Sequence, residues 1–352
     1  MSPASAPAVA TTVRALVMEG PGVMVVRDRP APPTGRGDAV LQVVATGICG
    51  SDIHGLAGAT GRRESGQVMG HETVGRVVEV GADVDDDWLG ALATVNPVVS
   101  CGSCAACLAC EEQQCEQSWV LGVRPDVDAA FAERITVPAR NVVRLPESMT
   151  PEHGALVEPL AVGYHALVRA APRPDDTVLV IGGGPIGQAA ALAARRVGVR
   201  RVLVSEPNPA RASILQQLGV RVVDPASLDA AVRPELGDQP SIVIDAVGGA
   251  DTLKTALTLS RRGARIVLVG MASPQLGFAA YHLSAAERTV IGAFCYSADD
   301  FRETAAWVAR HPEVGAALTG AVISLDEAPE VFGRLAAGEL LANKILVSPG
   351  RR

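Results

Sequence analysis

The run Gly182-Gly183-Gly184-Pro185-Ile186-Gly187 directly follows an apolar segment, Thr177 to Ile181, and directly precedes an Ala-rich stretch reaching Arg195. Glycines at this spacing confine the chain to a strand, a tight turn and a helix that begins at once. Gly182 permits the turn, Gly184 lets backbone approach a pyrophosphate, and Gly187 lets the helix lie close to the sheet. The phosphates would sit at the helix N-terminus, where unpaired N–H groups and the positive dipole end face them. A plain strand-to-helix turn is the competing reading of the motif alone.

The surrounding pattern supports the first reading. A second strand, Arg201 to Ser205, and a helix from about Pro209 complete a βαβ unit, and Ser241 to Val247 and Ala264 to Gly270 supply two more apolar strands. Strands this apolar suit a parallel sheet covered on both faces, so a doubly wound α/β domain is expected over residues 157–297. Glu206 ends the second strand 22 positions after Gly184, where a carboxylate accepts hydrogen bonds from ribose hydroxyls and repels a 2′-phosphate, favouring NAD over NADP. Pro185 and Ile186 in the turn, and Val247 and Val269 at later strand ends, are assigned to the same cofactor site. Arg211 either flanks the adenine or is a solvated helix arginine.

Before this domain the style differs. From Val13 to about Thr150, short β-branched runs such as Val23–Val26, Val40–Val44 and Thr73–Val80 alternate with Gly, Pro and Asp clusters, which reads as a mostly β domain. The first twelve residues, MSPASAPAVATT, read as a disordered lead-in without the cationic start of a secretory signal. The tail from Ala298 ends in a strand signal, Lys344–Val347, which periodicity alone assigns to neither domain. A formal charge of −7 argues against nucleic acid or an anionic membrane as partner. The missing signal, and cysteines clustered at metal-like spacing, favour a cytoplasmic protein.

Seven cysteines occur in the 352 residues, and Cys101, Cys104, Cys107 and Cys115 form C-x2-C-x2-C-x7-C. Four thiolates this close suit a tetrahedral zinc with sulfurs about 2.3 Å from the ion. Cys110 continues the x2 series and leaves the register open, and an iron–sulfur cluster is the rival, although no Pro follows the last cysteine and no second run exists. A second constellation joins Cys49 in Gly47-Ile48-Cys49-Gly50-Ser51-Asp52-Ile53-His54 to His71 and Glu72 in Gly70-His71-Glu72. Thiolate, imidazole and carboxylate together fit zinc better than magnesium or calcium, while each taken singly is an ordinary core or turn residue.

Together, the cysteine quartet, the C-G-S-D-x-H and G-H-E motifs, Val157-Glu158-Pro159-Leu160-Ala161-Val162 and the glycine turn resemble the zinc-dependent medium-chain alcohol dehydrogenases, in order from Arg14 to Pro349. The likeness is to the polyol branch of sorbitol-, threonine- and butanediol-type enzymes, because Glu158 stands where the simple-alcohol branch carries a cysteine. The resemblance implies a GroES-like catalytic domain of residues 13–156 and 298–352, split around a Rossmann NAD-binding domain. It also implies two zincs per chain: a structural one on Cys101, Cys104, Cys107 and Cys115, leaving Cys110 spare, and a catalytic one on Cys49, His71 and Glu72, with Glu158 a ligand or a partner of the bound water. By the same resemblance Ser51 takes the alcohol proton and His54 passes it to solvent, while Asp52 orients His71.

The implied reaction is NAD-linked oxidation of a secondary alcohol, on a polyol, sugar or cyclitol, to a ketone. A sugar-acid or threonine-type dehydrogenase is the alternative within the class, and a non-catalytic dinucleotide-binding relative the alternative outside it. Arg62 and Arg63 could grip a substrate anion or form a solvated charge cluster. A homodimer or homotetramer is expected. Two departures from the family pattern, Gln67-Val68-Met69 before G-H-E and Ala129-Ala130 before Phe131, bear on loop shape and substrate.

Overall fold

The computed structural model describes residues 12–58, 61–340 and 343–351; the lead-in before residue 12 lies outside them. Among these residues the backbone forms a parallel six-stranded sheet and a separate set of mostly antiparallel sheets.

The parallel sheet takes Thr177–Ile181, Arg201–Ser205, Arg221–Val223, Ile242–Asp245, Arg265–Leu268 and Thr289–Gly292 in spatial order 3-2-1-4-5-6. That is the doubly wound dinucleotide-binding order, whose ligand crevice lies where the winding reverses, at the first and fourth strands. The first strand is buried at every residue because helices cover both faces. Helix Pro185–Arg196 and helix Val157–Arg169 cross closely, and a Cβ at Gly163 would lie 2.4 Å from Ala189 Cβ. Asn208 caps helix Pro209–Gln217 through the N–H groups of Ala210 and Arg211, satisfying donors that the first helical turn leaves unpaired.

In the first half of the chain a seven-stranded sheet is built around Asp38–Gly47. This strand pairs with Glu72–Val80 in a register that sets Gly47 opposite Glu72. Its end also pairs with the last strand of the chain, Lys344–Val347, with Leu346 opposite Gly47. Lys344–Val347 pairs in turn with Thr319–Ile323, so both strands of the tail belong to this sheet. Three segments remote in sequence, at Cys49, Glu72 and Lys344, are thereby brought to one end of adjacent strands. No helix among the described residues is long and apolar enough to cross a membrane.

Candidate active site

Cys49 leaves the end of strand Asp38–Gly47 as the N-cap of helix Gly50–Leu56, and His71 and Glu72 open the neighbouring strand. One ligand atom from each of Cys49, His71 and Glu72 lies within 4.8 Å of the others. His71 and Glu72 are buried and Cys49 half-buried. Three buried polar atoms here have no hydrogen-bond partner: Glu72 Oε2, His71 Nδ1 and Asp52 Oδ1. A Cβ at Gly47 would come within 2.0 Å of Glu72 Oε2, so only glycine leaves room for that carboxylate. A thiol sulfur, an imidazole and a carboxylate packed this closely, with Glu72 Oε2 buried and unpaired, fit a zinc ion.

Each acid around this point has its own partner. Glu72 Oε1 accepts from Lys344 Nζ at 2.6 Å, and Lys344 also donates to Ile48 O at 3.2 Å. Burial alone would lower the Lys344 pKa, but Glu72 and Cys49 outweigh it and the pKa is raised. Glu158, in the first turn of helix Val157–Arg169, accepts from Tyr296 Oη at 2.9 Å. Burial is the main reason its pKa rises to about 7. Asp52 is fully buried, accepts from Cys49 N at 3.1 Å through Oδ2, and places Oδ1 3.6 Å from His71 Nδ1. Burial opposes a charged His71 ring, but Asp52 and Cys49 prevail and raise its pKa to about 10.

Glu158 stands outside the three-residue cluster among the described residues, although its charge acts on His71. Ser51 is half-buried and His54 exposed on the helix that Cys49 caps. Sequence motifs did not mark Lys344 or Tyr296: a lone Lys at a strand start and a lone Tyr after a strand carry no spacing signal. Arg63 is buried against Asp52, with its side chain 3% exposed, whereas Arg62 is exposed. The two departures from the family pattern touch each other, since Ala129 N, Ala130 N and Phe131 N donate to Val68 O, Gly70 O and Met69 O.

The cysteine lobe is separate. Sulfurs of Cys101, Cys104, Cys107 and Cys115 lie within 4.8 Å of one another, and Cys110 is exposed and outside the group. Cys107 Sγ is 3.5 Å from Cys104 Sγ and 3.8 Å from Cys101 Sγ, close to the edge of about 3.8 Å that four sulfurs make around a tetrahedral zinc. The N–H groups of Ser103 and Cys104 point at Cys101 Sγ and lower its pKa to about 6, which favours the thiolate a metal requires. Glu112 of this lobe reaches across to accept from Ala298 N at 3.0 Å.

At the glycine turn, Gly182 adopts φ +93°, and a Cβ at Gly187 would lie 1.7 Å from Gly182 O. Gly184 caps the helix that begins at Pro185 and Ile186. Glu206 does something its motif did not announce: Oε2 accepts from Gly183 N and Oε1 from Asn208 N, both at 2.7 Å. It fastens the turn to the second strand while its remaining lone pairs stay available. A Cβ at Gly184 would sit 3.9 Å from Arg211 Nη1, and Val247 Cγ2 lies 2.7 Å from the Cβ position of Gly182. These side chains therefore gather at one rim, with Val269 at the end of the adjoining strand, where its N–H donates to Asp245 O.

Residues 35–147 match the Alcohol dehydrogenase GroES-like domain family, and residues 185–310 match the Zinc-binding dehydrogenase family. L-galactonate-5-dehydrogenase of Escherichia coli K12 is 32% identical over 295 residues, 83% of this chain and 86% of that protein. Sorbitol dehydrogenase of Arabidopsis thaliana is 32% identical over 75% of this chain and 76% of its own length. A Sinorhizobium meliloti structure described as a zinc-binding dehydrogenase, bound to NADP, is 31% identical. It superposes with a TM-score of 0.87 over 97% of this chain and all of that one.

Proposed function

The chain belongs to the zinc-binding alcohol dehydrogenase family and is an NAD(P)-dependent oxidoreductase; on that premise we propose that it oxidises a secondary alcohol of a polyol or sugar acid to the ketone, using NAD. The observation that carries this reading is the cluster of Cys49, His71 and Glu72 with its orphaned buried atoms, on the chain that also carries the glycine turn.

Cys49, His71 and Glu72 would hold a catalytic zinc, with Glu158, whose charge acts on His71, as a further ligand or a partner of its bound water. Cys101, Cys104, Cys107 and Cys115 would hold a structural zinc. When bound, the catalytic ion supplies Lewis-acid polarisation of the alcohol oxygen and makes its proton easier to lose. The chain's own residues do the rest. Asp52 takes the Nδ1 side of His71 and fixes the ring. Ser51 accepts the alcohol proton and His54 hands it to solvent; a bound NAD would supply the hydride acceptor, so that alcohol and NAD are balanced by ketone, NADH and one proton. Gly182, Gly184 and Gly187 clear the pyrophosphate path, and Glu206 meets the adenosine ribose, which favours NAD over its 2′-phosphorylated form.

Two of the relatives are named as dehydrogenases of L-galactonate and of sorbitol, which supports small polyhydroxylated substrates. A homodimer or homotetramer in the cytoplasm completes the proposal. The open edge of strand Thr289–Gly292 and exposed Met271, Phe278, Tyr281 and Phe294 nearby in the chain support association.

A spectrophotometric screen of NAD reduction across polyols, sugar acids, cyclitols, threonine and simple alcohols, alongside metal analysis, tests the reading. Two zincs per chain and turnover of a polyol or sugar acid are expected, with Cys49→Ser lowering kcat/KM by roughly 1,000-fold. A folded Cys49→Ser protein lacking the catalytic zinc but retaining normal activity overturns it.

A further inference from the structure

Asp52 is a carboxylate with no exposed surface, and its Oδ1 has no hydrogen-bond partner. That oxygen lies 3.6 Å from His71 Nδ1 on one side and 3.6 Å from Arg63 Nη2 on the other. The Arg63 side chain is 3% exposed. Its stem runs so close to helix Gly50–Leu56 that a Cβ at Gly55 would come within 2.6 Å of Arg63 Cγ. Its Nε donates to Met69 Sδ at 3.2 Å, two residues before His71. Arg63 thus touches the helix that follows Cys49 and the loop that delivers His71.

A buried carboxylate needs compensation, and removing one member of a buried charge set leaves the other exposed to the full desolvation cost. Glu72 has Lys344 and Glu158 has Tyr296; Arg63 is the corresponding group for Asp52. A planar, always charged guanidinium is suited to that enclosed position, and burial this deep withdraws it from the surface where an anionic substrate group would be gripped.

We propose that Arg63 is a positioning residue of the metal centre, holding Asp52 as the buried anion that orients His71. This rests on the reading of Cys49, His71 and Glu72 as zinc ligands. The test uses purified holoenzyme: zinc content and affinity by competition with a chromogenic chelator, NADH affinity by fluorescence, and separate kcat and KM. Arg63→Met is expected to weaken one of the two zincs by about 10–100-fold, leaving the other zinc and NADH affinity unchanged and lowering kcat far more than it raises KM. Arg63→Lys is expected to recover most of the loss. Asp52→Asn combined with Arg63→Met is expected to bind zinc no more weakly than Asp52→Asn alone. If Arg63→Met does not fold, Arg63→Gln replaces it, with Gln losing the zinc that Lys retains.

Wild-type zinc affinity in Arg63→Met with only KM raised, the signature of a substrate clamp, overturns the proposal, as do zinc losses that multiply in the double variant. A wild-type chain whose zinc content is unchanged by Cys49→Ser overturns the metal-site reading and this inference together. That outcome is distinct from a two-zinc protein indifferent to Arg63.

Discussion

Tyr296 and Glu158 form a buried pair with a definite pH signature. The Glu158 carboxyl keeps its proton to about 7, against an ordinary value of 4.5, chiefly because burial disfavours its charge. An unfolded chain ionises first, so this group lowers stability progressively as pH rises from 4.5 to about 7. Above that window Glu158 is a carboxylate and the Tyr296 hydroxyl donates to a charge; below it the bond is between neutral groups. In the zinc-free protein Tyr296→Phe is therefore expected to cost about 1.5–3 kcal/mol at pH 8 and about 0.5–1.5 kcal/mol at pH 5.5, measured by denaturant unfolding. An equal loss at both pH values contradicts the assignment. Neither residue's partner could be read from spacing, because the two are 138 positions apart, and Glu72 and Lys344 are 272 apart. Cys49, His71 and the cysteine quartet were legible because their chemistry is written in short local motifs.

At the level of elements, the glycine turn has the least freedom. Gly187→Ala would drive a Cβ into Gly182 O, and the helix could escape only by moving off the strand and away from the phosphates. Over-packing of this kind costs about 1–3 kcal/mol, and NADH affinity measured by fluorescence is expected to fall at least about tenfold with zinc content unchanged. Retained NADH affinity would show that the helix N-terminus is not the phosphate site. Strands Thr177–Ile181 and Arg201–Ser205 span the same residues in the sequence reading and in the structure, because both are apolar runs bounded by polar residues or glycine. Arg221–Val223 and Thr289–Gly292 escaped notice. They are short, begin with polar residues and are only partly buried, so their existence depends on neighbouring strands.

Taken whole, the molecule depends on its tail. Strand Lys344–Val347 bridges Asp38–Gly47 and Thr319–Ile323 and carries the cation that meets Glu72. A chain stopped after Asn343 is expected to keep one zinc, in the cysteine lobe, and to unfold in a broad, low-temperature transition. Two zincs and a single sharp transition in that variant contradict the role given to the strand. The pattern of apolar residues could not assign this tail to a domain, since a four-residue buried strand has the same composition in either sheet.

The same strand has a consequence for how the protein is made. The cysteine lobe closes between Cys101 and Cys115, so it can capture its ion while the rest of the chain is still on the ribosome. The other centre gathers groups from Cys49 to Lys344, so it cannot be complete until Lys344 has been made and has joined its sheet. One ion is thus available to guide early folding, and the other centre is complete only once strand Lys344–Val347 has docked.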